Sequence, residues 1–176
     1  VLAARPYAYL DDAPLEERRT QAVMSRRWLA PEEAADLGRL DPEAIARVQA
    51  EAWPEPANAD ELHDALVRLG VLSADEIPVE PGWDDCLAAL ARERRVTRLH
   101  GPSAMLWVAA ERLPQFQSLW PEATLDPDIA APAAHDARDW SDDDALIEIL
   151  RGRLEGLGPV TESALGAPLG LEPGDV

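Results

Sequence analysis

Residues 58–110 read NADELHDALVRLGVLSADEIPVEPGWDDCLAALARERRVTRLHGPSAMLWVAA, and the hydrophobic period changes part way along them. Asn58 or Asp60 can cap a helix in which Leu62, Ala65, Leu66 and Leu69 recur at three-and-four spacing, and Gly70 closes the run. Ser73 caps a short helical turn that must stop before Pro78, because proline pushes the residue before it out of the α region. Gly82 introduces WDDCLAALARERR, with Trp83, Cys86, Leu87 and Leu90 on one face. The period then drops to two. VTRLH, the turn residues Gly101, Pro102 and Ser103, and AMLWVAA predict a β-hairpin. Three helices followed by a hairpin are the order of a winged helix, so the expected fold is mainly α with a winged-helix module over 58–121.

The flanks extend this reading. ERLPQFQSLWP adds a helical turn through Leu113, Phe116, Leu119 and Trp120. Residues 122–139 combine prolines with acids and alanines and are expected to be an acidic linker. Ser141 then caps a helix whose Leu146, Ile149, Leu150 and Leu154 predict an apolar face. Gly158 and Pro159 break it, and Thr161 caps a shorter one, so 140–176 are expected to be an incomplete second winged-helix module that stops after its first two helices. Upstream, Pro42 opens PEAIARVQAEAW, with Ile45, Val48 and Ala52 as its stripe, inside a connecting stretch 31–57. Asp11, Asp12 and Pro14 start a helix that runs from about Ala13 to Arg27 within a junction segment 1–30. Val1 in place of an initiator Met and the unfinished second module together predict a fragment of a longer chain.

Composition narrows the function classes. All 16 basic residues are arginine, and the net charge is −18. Such a surface repels a phosphate backbone, which rewards neutralising cations. The average hides two basic islands, +1 over 1–30 and +3 over 91–112, set against −12 over 31–90 and −8 over 121–150. The single cysteine, Cys86, excludes an internal disulfide and predicts a reducing, cytoplasmic setting. No apolar run approaches the roughly 20 residues that cross a bilayer, so no membrane partner is expected.

The stretch ARPYAYLDDAPLEERRTQAVMSRR, Ala4 to Arg27, resembles the bacterial Lhr (large helicase-related) family at the junction between the motor core and its C-terminal winged-helix region. DELHDALVRLGVL from Asp60, GPSAMLWVAAERLP from Gly101 and LEGLGPVTESALGAPLGL from Leu154 resemble later blocks of the same family, in the same order. The resemblance implies a parent that is an ATP-dependent helicase moving 3′ to 5′ on single-stranded DNA and acting on RNA:DNA hybrids in DNA repair. It also implies ATP and Mg as cofactors of the parent motor, and partners in the upstream helicase core and the downstream winged helices of the same chain. Part of the family has a uracil-excising C-terminal region. The segment itself departs from the motor: a phosphate-binding loop needs GxxxxGK, and a chain without lysine cannot supply it. DELH at Asp60 and DDD at Asp142 sit in helices rather than after a buried strand. No catalytic residue and no cofactor are assigned to these residues.

The candidate nucleic-acid-binding residues are Arg92, Arg94, Arg95, Arg98 and His100, clustered where a winged helix can touch phosphates. The competing reading is that they offset the acidic surface and the C-terminal dipole of their helix. Asp84 and Asp85 stand at the end of that helix that would meet base edges, which disfavours major-groove reading. Of the six tryptophans, Trp83 and Trp107 fall on predicted core faces, Trp120 ends an apolar stripe, and Trp28 and Trp53 lie at helix ends as possible interface anchors. His63, His100 and His135 lack partners at zinc-ligand spacing, and no metal site is expected. A structural or oligomerisation scaffold with no nucleic-acid contact is the alternative, and membership of a glycosylase region the third.

Overall fold

The computed structural model describes residues 40–77, 82–136 and 138–175. The chain divides into two compact units, 1–42 and 43–176. Nearly all of the first lies outside the described residues, and with it the predicted helix over 13–27, the segment 1–30 and Trp28. The second is mainly helical, with a small four-stranded antiparallel sheet.

Its elements are α1 (Pro42–Ala52), α2 (Ala59–Leu69), β1 (Leu72–Ser73), α3 (Trp83–Arg92), β2 (Val96–His100), β3 (Met105–Ala109), α4 (Leu113–Leu119), β4 (Thr124–Asp126), α5 (Ala133–Asp136), α6 (Asp142–Leu157) and α7 (Glu162–Gly166). Local chemistry fixes several of the boundaries. Asn58 caps α2 by accepting the Glu61 amide at 3.0 Å, and Gly70, at φ +80°, returns its own N–H to the Leu66 carbonyl. Ser73 and Glu76 form a reciprocal capping box around a single 3₁₀ turn, Ala74–Glu76. Ser141 and Thr161 cap α6 and α7 as the sequence predicts.

The strand order is β1-β3-β2-β4. Because side chains alternate along a strand, the sheet feeds two cores. Leu72, Val96 and Ala109 join Leu62 and Leu66 of α2 and Leu87 and Leu90 of α3 on one face. Leu99, Leu106 and Val108 join Phe116 of α4 and Ile149 of α6 on the other. Arg98 and Trp107 face each other across β2 and β3.

Two stretches differ from the sequence reading. Within 122–139, expected to be a linker, Thr124–Asp126 pair with β2 as an edge strand, and Ile129 is buried in the core. Thr97 also donates its hydroxyl to the Pro127 carbonyl at 2.6 Å. Only Leu125 of β4 turns inward, so three residues offered no apolar alternation to detect.

The second difference concerns α6. Its buried face is Ala145, Ile149, Gly152, Arg153 and Gly156, whereas Leu154, expected inside, is 48% exposed, and Leu146 and Leu150 are half-buried. The helix packs on α2 and α4 within the same compact unit. At Gly152 the backbones of α6 and α2 come so close that a Cβ would stand 2.5 Å from the Arg68 carbonyl oxygen. Arg153, 1% exposed, donates to the Val71 carbonyl at 2.9 Å and pairs with Glu76, the same carboxylate that accepts the Ser73 amide. Its charge is compensated there, which is what allows a guanidinium inside a core.

Candidate nucleic-acid interface

The arginine cluster begins where α3 ends. The Arg94 N–H meets the Ala91 carbonyl and the Arg95 N–H the Leu90 carbonyl, at 3.0 and 2.9 Å. These are the two bonds of a Schellman motif, whose left-handed position is usually glycine. Here it is Arg94, at φ +61°. The motif turns the chain from α3 straight into β2 and so carries Arg92, Arg94 and Arg95 onto the turn, with Arg98 and His100 two and four residues into the strand's course. Arg92 lies back along α3, its Nε donating to the Ala88 carbonyl at 3.1 Å, a cation at the negative end of the helix dipole.

Two of the five side chains carry close counter-ions. Arg95 meets Asp60 at 2.5 Å and Glu93 at 3.6 Å. Its pKa is raised above the usual arginine value, chiefly by the hydrogen bond it donates to the Asp60 carboxylate. Arg98 meets Asp126 of β4 at 2.6 Å and lies 5.6 Å from the centre of the Trp107 ring. A phosphate arriving at either guanidinium would meet a carboxylate already paired with it. Among the described residues no carboxylate pairs with Arg92 or Arg94. His100 is exposed, level with Met105 and Thr124 and on the same sheet face as Arg98. Asp84 and Asp85 are exposed in the first turn of α3.

The sequence placed the arginines together but not their partners. Asp126 was hidden because β4 itself was not predicted. Asp60 reads in the sequence as a possible cap of α2, with nothing to signal that the end of α3 returns beside it.

The tryptophans among the described residues are engaged within the fold. Trp53 stacks on Trp83 with ring centres 6.5 Å apart and planes 12° from parallel, which ties the segment after α1 to the start of α3. Phe116 and Trp120 lie 5.6 Å apart, and the Arg138 guanidinium sits 3.7 Å from the Trp140 ring centre. Trp107 is half-buried at the rim of the α2–α3 core. His63 is buried, with Nε2 3.2 Å from Glu111, and Cys86 is half-buried beside the same core. Among the described residues no group of three or more His, Cys, Asp or Glu side chains could hold a metal ion, and no helix is long and apolar enough to cross a membrane. A cleft of about 300 Å³ lies between α1, α2 and α6, lined by Trp53, Arg68, Gly152 and the acids Glu51 and Glu155.

Comparison with models of protein families, with curated proteins and with solved structures finds no match.

Proposed function

We propose that this chain is the segment of an Lhr-type ATP-dependent 3′-5′ DNA-repair helicase that links the motor to a C-terminal winged-helix array and helps position nucleic acid. The observation that carries the reading is the order α2, β1, short turn, α3, β2, β3, with β1 and β2 flanking β3 and both helices against one sheet face. That order supports reading the unit as a winged helix, a fold whose wing and helix ends commonly contact phosphates. The motif blocks that resemble the Lhr family supply the parent and its activity. Within the segment the contact surface would be the turn at Arg92 and Arg94 and the strand face bearing Arg98 and His100. It would act on backbone rather than on base edges, since Asp84 and Asp85 hold the other end of α3.

The second reading, a scaffold without nucleic-acid contact, is favoured by the Arg95–Asp60 and Arg98–Asp126 pairs. Titrating the full chain against a labelled single-stranded oligonucleotide at low and moderate salt separates the two. The positioning role predicts weak binding that falls as salt rises and is abolished by Arg92→Glu, Arg94→Glu and Arg98→Glu together, with helical content retained. No binding, or binding indifferent to those charge reversals, leaves the scaffold.

A further inference from the structure

We propose that α6 presents a docking face for a basic amphipathic helix of a protein partner. Asp143, Ile147, Leu150 and Leu154 follow one another at four-three-four spacing and form one row along the helix. Ile147 is 52% and Leu154 48% exposed, and Leu150 is half-buried between them. With Arg151 and Glu155 these side chains form an open, largely apolar patch on the helix surface. The adjoining row is Asp144, Glu148, Arg151 and Glu155; Glu148 pairs with Arg151 at 2.8 Å and with Arg112 at 3.4 Å, which leaves Asp144 and Glu155 as the acids of the row outside those ion pairs. An apolar ridge therefore runs beside an acidic one.

That pairing selects the occupant. A helix docks on such a ridge through its own apolar residues at three-and-four spacing, and the acidic row beside it calls for Lys or Arg on the flank of that helix. A second copy of this chain would bring acidic row against acidic row on two bodies that each carry −18. Nucleic acid and anionic lipid meet the same repulsion. The face lies on a different element from the arginine turn, so it stands or falls apart from the nucleic-acid reading.

The test uses the full chain and two labelled helical peptides with identical leucine spacing, one carrying lysine at its polar positions and one glutamate. The lysine peptide is expected to bind saturably, and the glutamate peptide not to bind. Ile147→Gln with Leu154→Gln, both exposed and so compatible with folding, should weaken the lysine peptide at least tenfold. Asp144→Asn with Glu155→Gln should weaken it several-fold and flatten its salt dependence, while Asp84→Asn with Asp85→Asn, the same charge change elsewhere, should leave it unaltered. Binding that ignores the apolar pair, equal binding of both peptides, or a dimer in light scattering that the apolar pair dissolves would each overturn the proposal.

Discussion

Arg94 stands where a helix ordinarily places glycine. An L-residue in the left-handed region gives up about 1–2 kcal/mol of backbone energy, and glycine escapes that at the expense of about 0.5–1 kcal/mol of extra unfolded-state freedom. Arg94→Gly is therefore expected to stabilise the fold by roughly 0.5–1 kcal/mol, read as a higher urea midpoint at unchanged slope. A lower midpoint would mean that the arginine side chain contributes more than its backbone position costs. Arg153 is the opposite case, a residue whose side chain outweighs everything local. Arg153→Met leaves Glu76 without its cation and the Val71 carbonyl without its donor, and the expected loss is about 3 kcal/mol. Adding Glu76→Gln neutralises the stranded carboxylate and should recover part of that loss. If the single change moves stability by less than about 1 kcal/mol, the buried pair is not what anchors α6.

Among the elements, α6 is held by close backbone approach as well as by the buried Ile149. Gly152→Ala gains about 1 kcal/mol of helix propensity but drives a methyl against the Arg68 carbonyl and the Leu69 backbone, neither of which can rotate away. Overpacking of this kind costs about 1–3 kcal/mol, so the net change should be a loss, measurable by thermal melting, whereas Leu154→Ala on the exposed side of the same helix should shift the midpoint little. A melting temperature that rises with Gly152→Ala would show that α6 and α2 can separate without loss. The same crossing explains what could and could not be read beforehand. α2 and α3 are legible because each buries one face at the helical period, with Asn58 and Gly70 marking the ends of α2, and the hairpin is legible because the period drops to two on either side of Gly101, Pro102 and Ser103. α6 is legible as a helix, and Ile149 of its expected apolar face is buried, but Leu146 and Leu150 are only half-buried, Leu154 is exposed, and the close approach to α2 falls at Gly152 and Gly156, which a search for apolar side chains does not find. β4 was illegible because an edge strand of three residues with Thr124 and Asp126 outward looks like polar loop. The arginine cluster was legible by charge, and its counter-ions were not, since both arrive from distant parts of the chain.

At the scale of the molecule, residues 43–176 form one compact unit, with no break between compact units at 121 or at 139. The core on the outer sheet face takes Leu106 and Val108 from the hairpin, Phe116 from α4, Ile129 from the stretch after β4 and Ile149 from α6. Each is buried against the others, so none of these segments has a complete core of its own. Unfolding should accordingly be a single transition, with near-ultraviolet and far-ultraviolet circular dichroism following the same denaturation curve. A chain truncated after Asp139 makes the sharper case. It retains all of α2, α3 and the sheet, but loses Ile149 from the core, the Arg153 bond to Val71 and the Arg153–Glu76 pair, and it uncovers the α2 backbone at Arg68 and Leu69. A fold of this size has about 5–15 kcal/mol in reserve, and losing the buried pair together with one side of the core removes a large fraction of it. The truncated chain is expected to keep helical signal while binding a hydrophobic dye and melting without a cooperative step. If it instead gave a sharp transition near that of the full chain, 58–121 would be an independent module, and α6 and α7 would only lean on it.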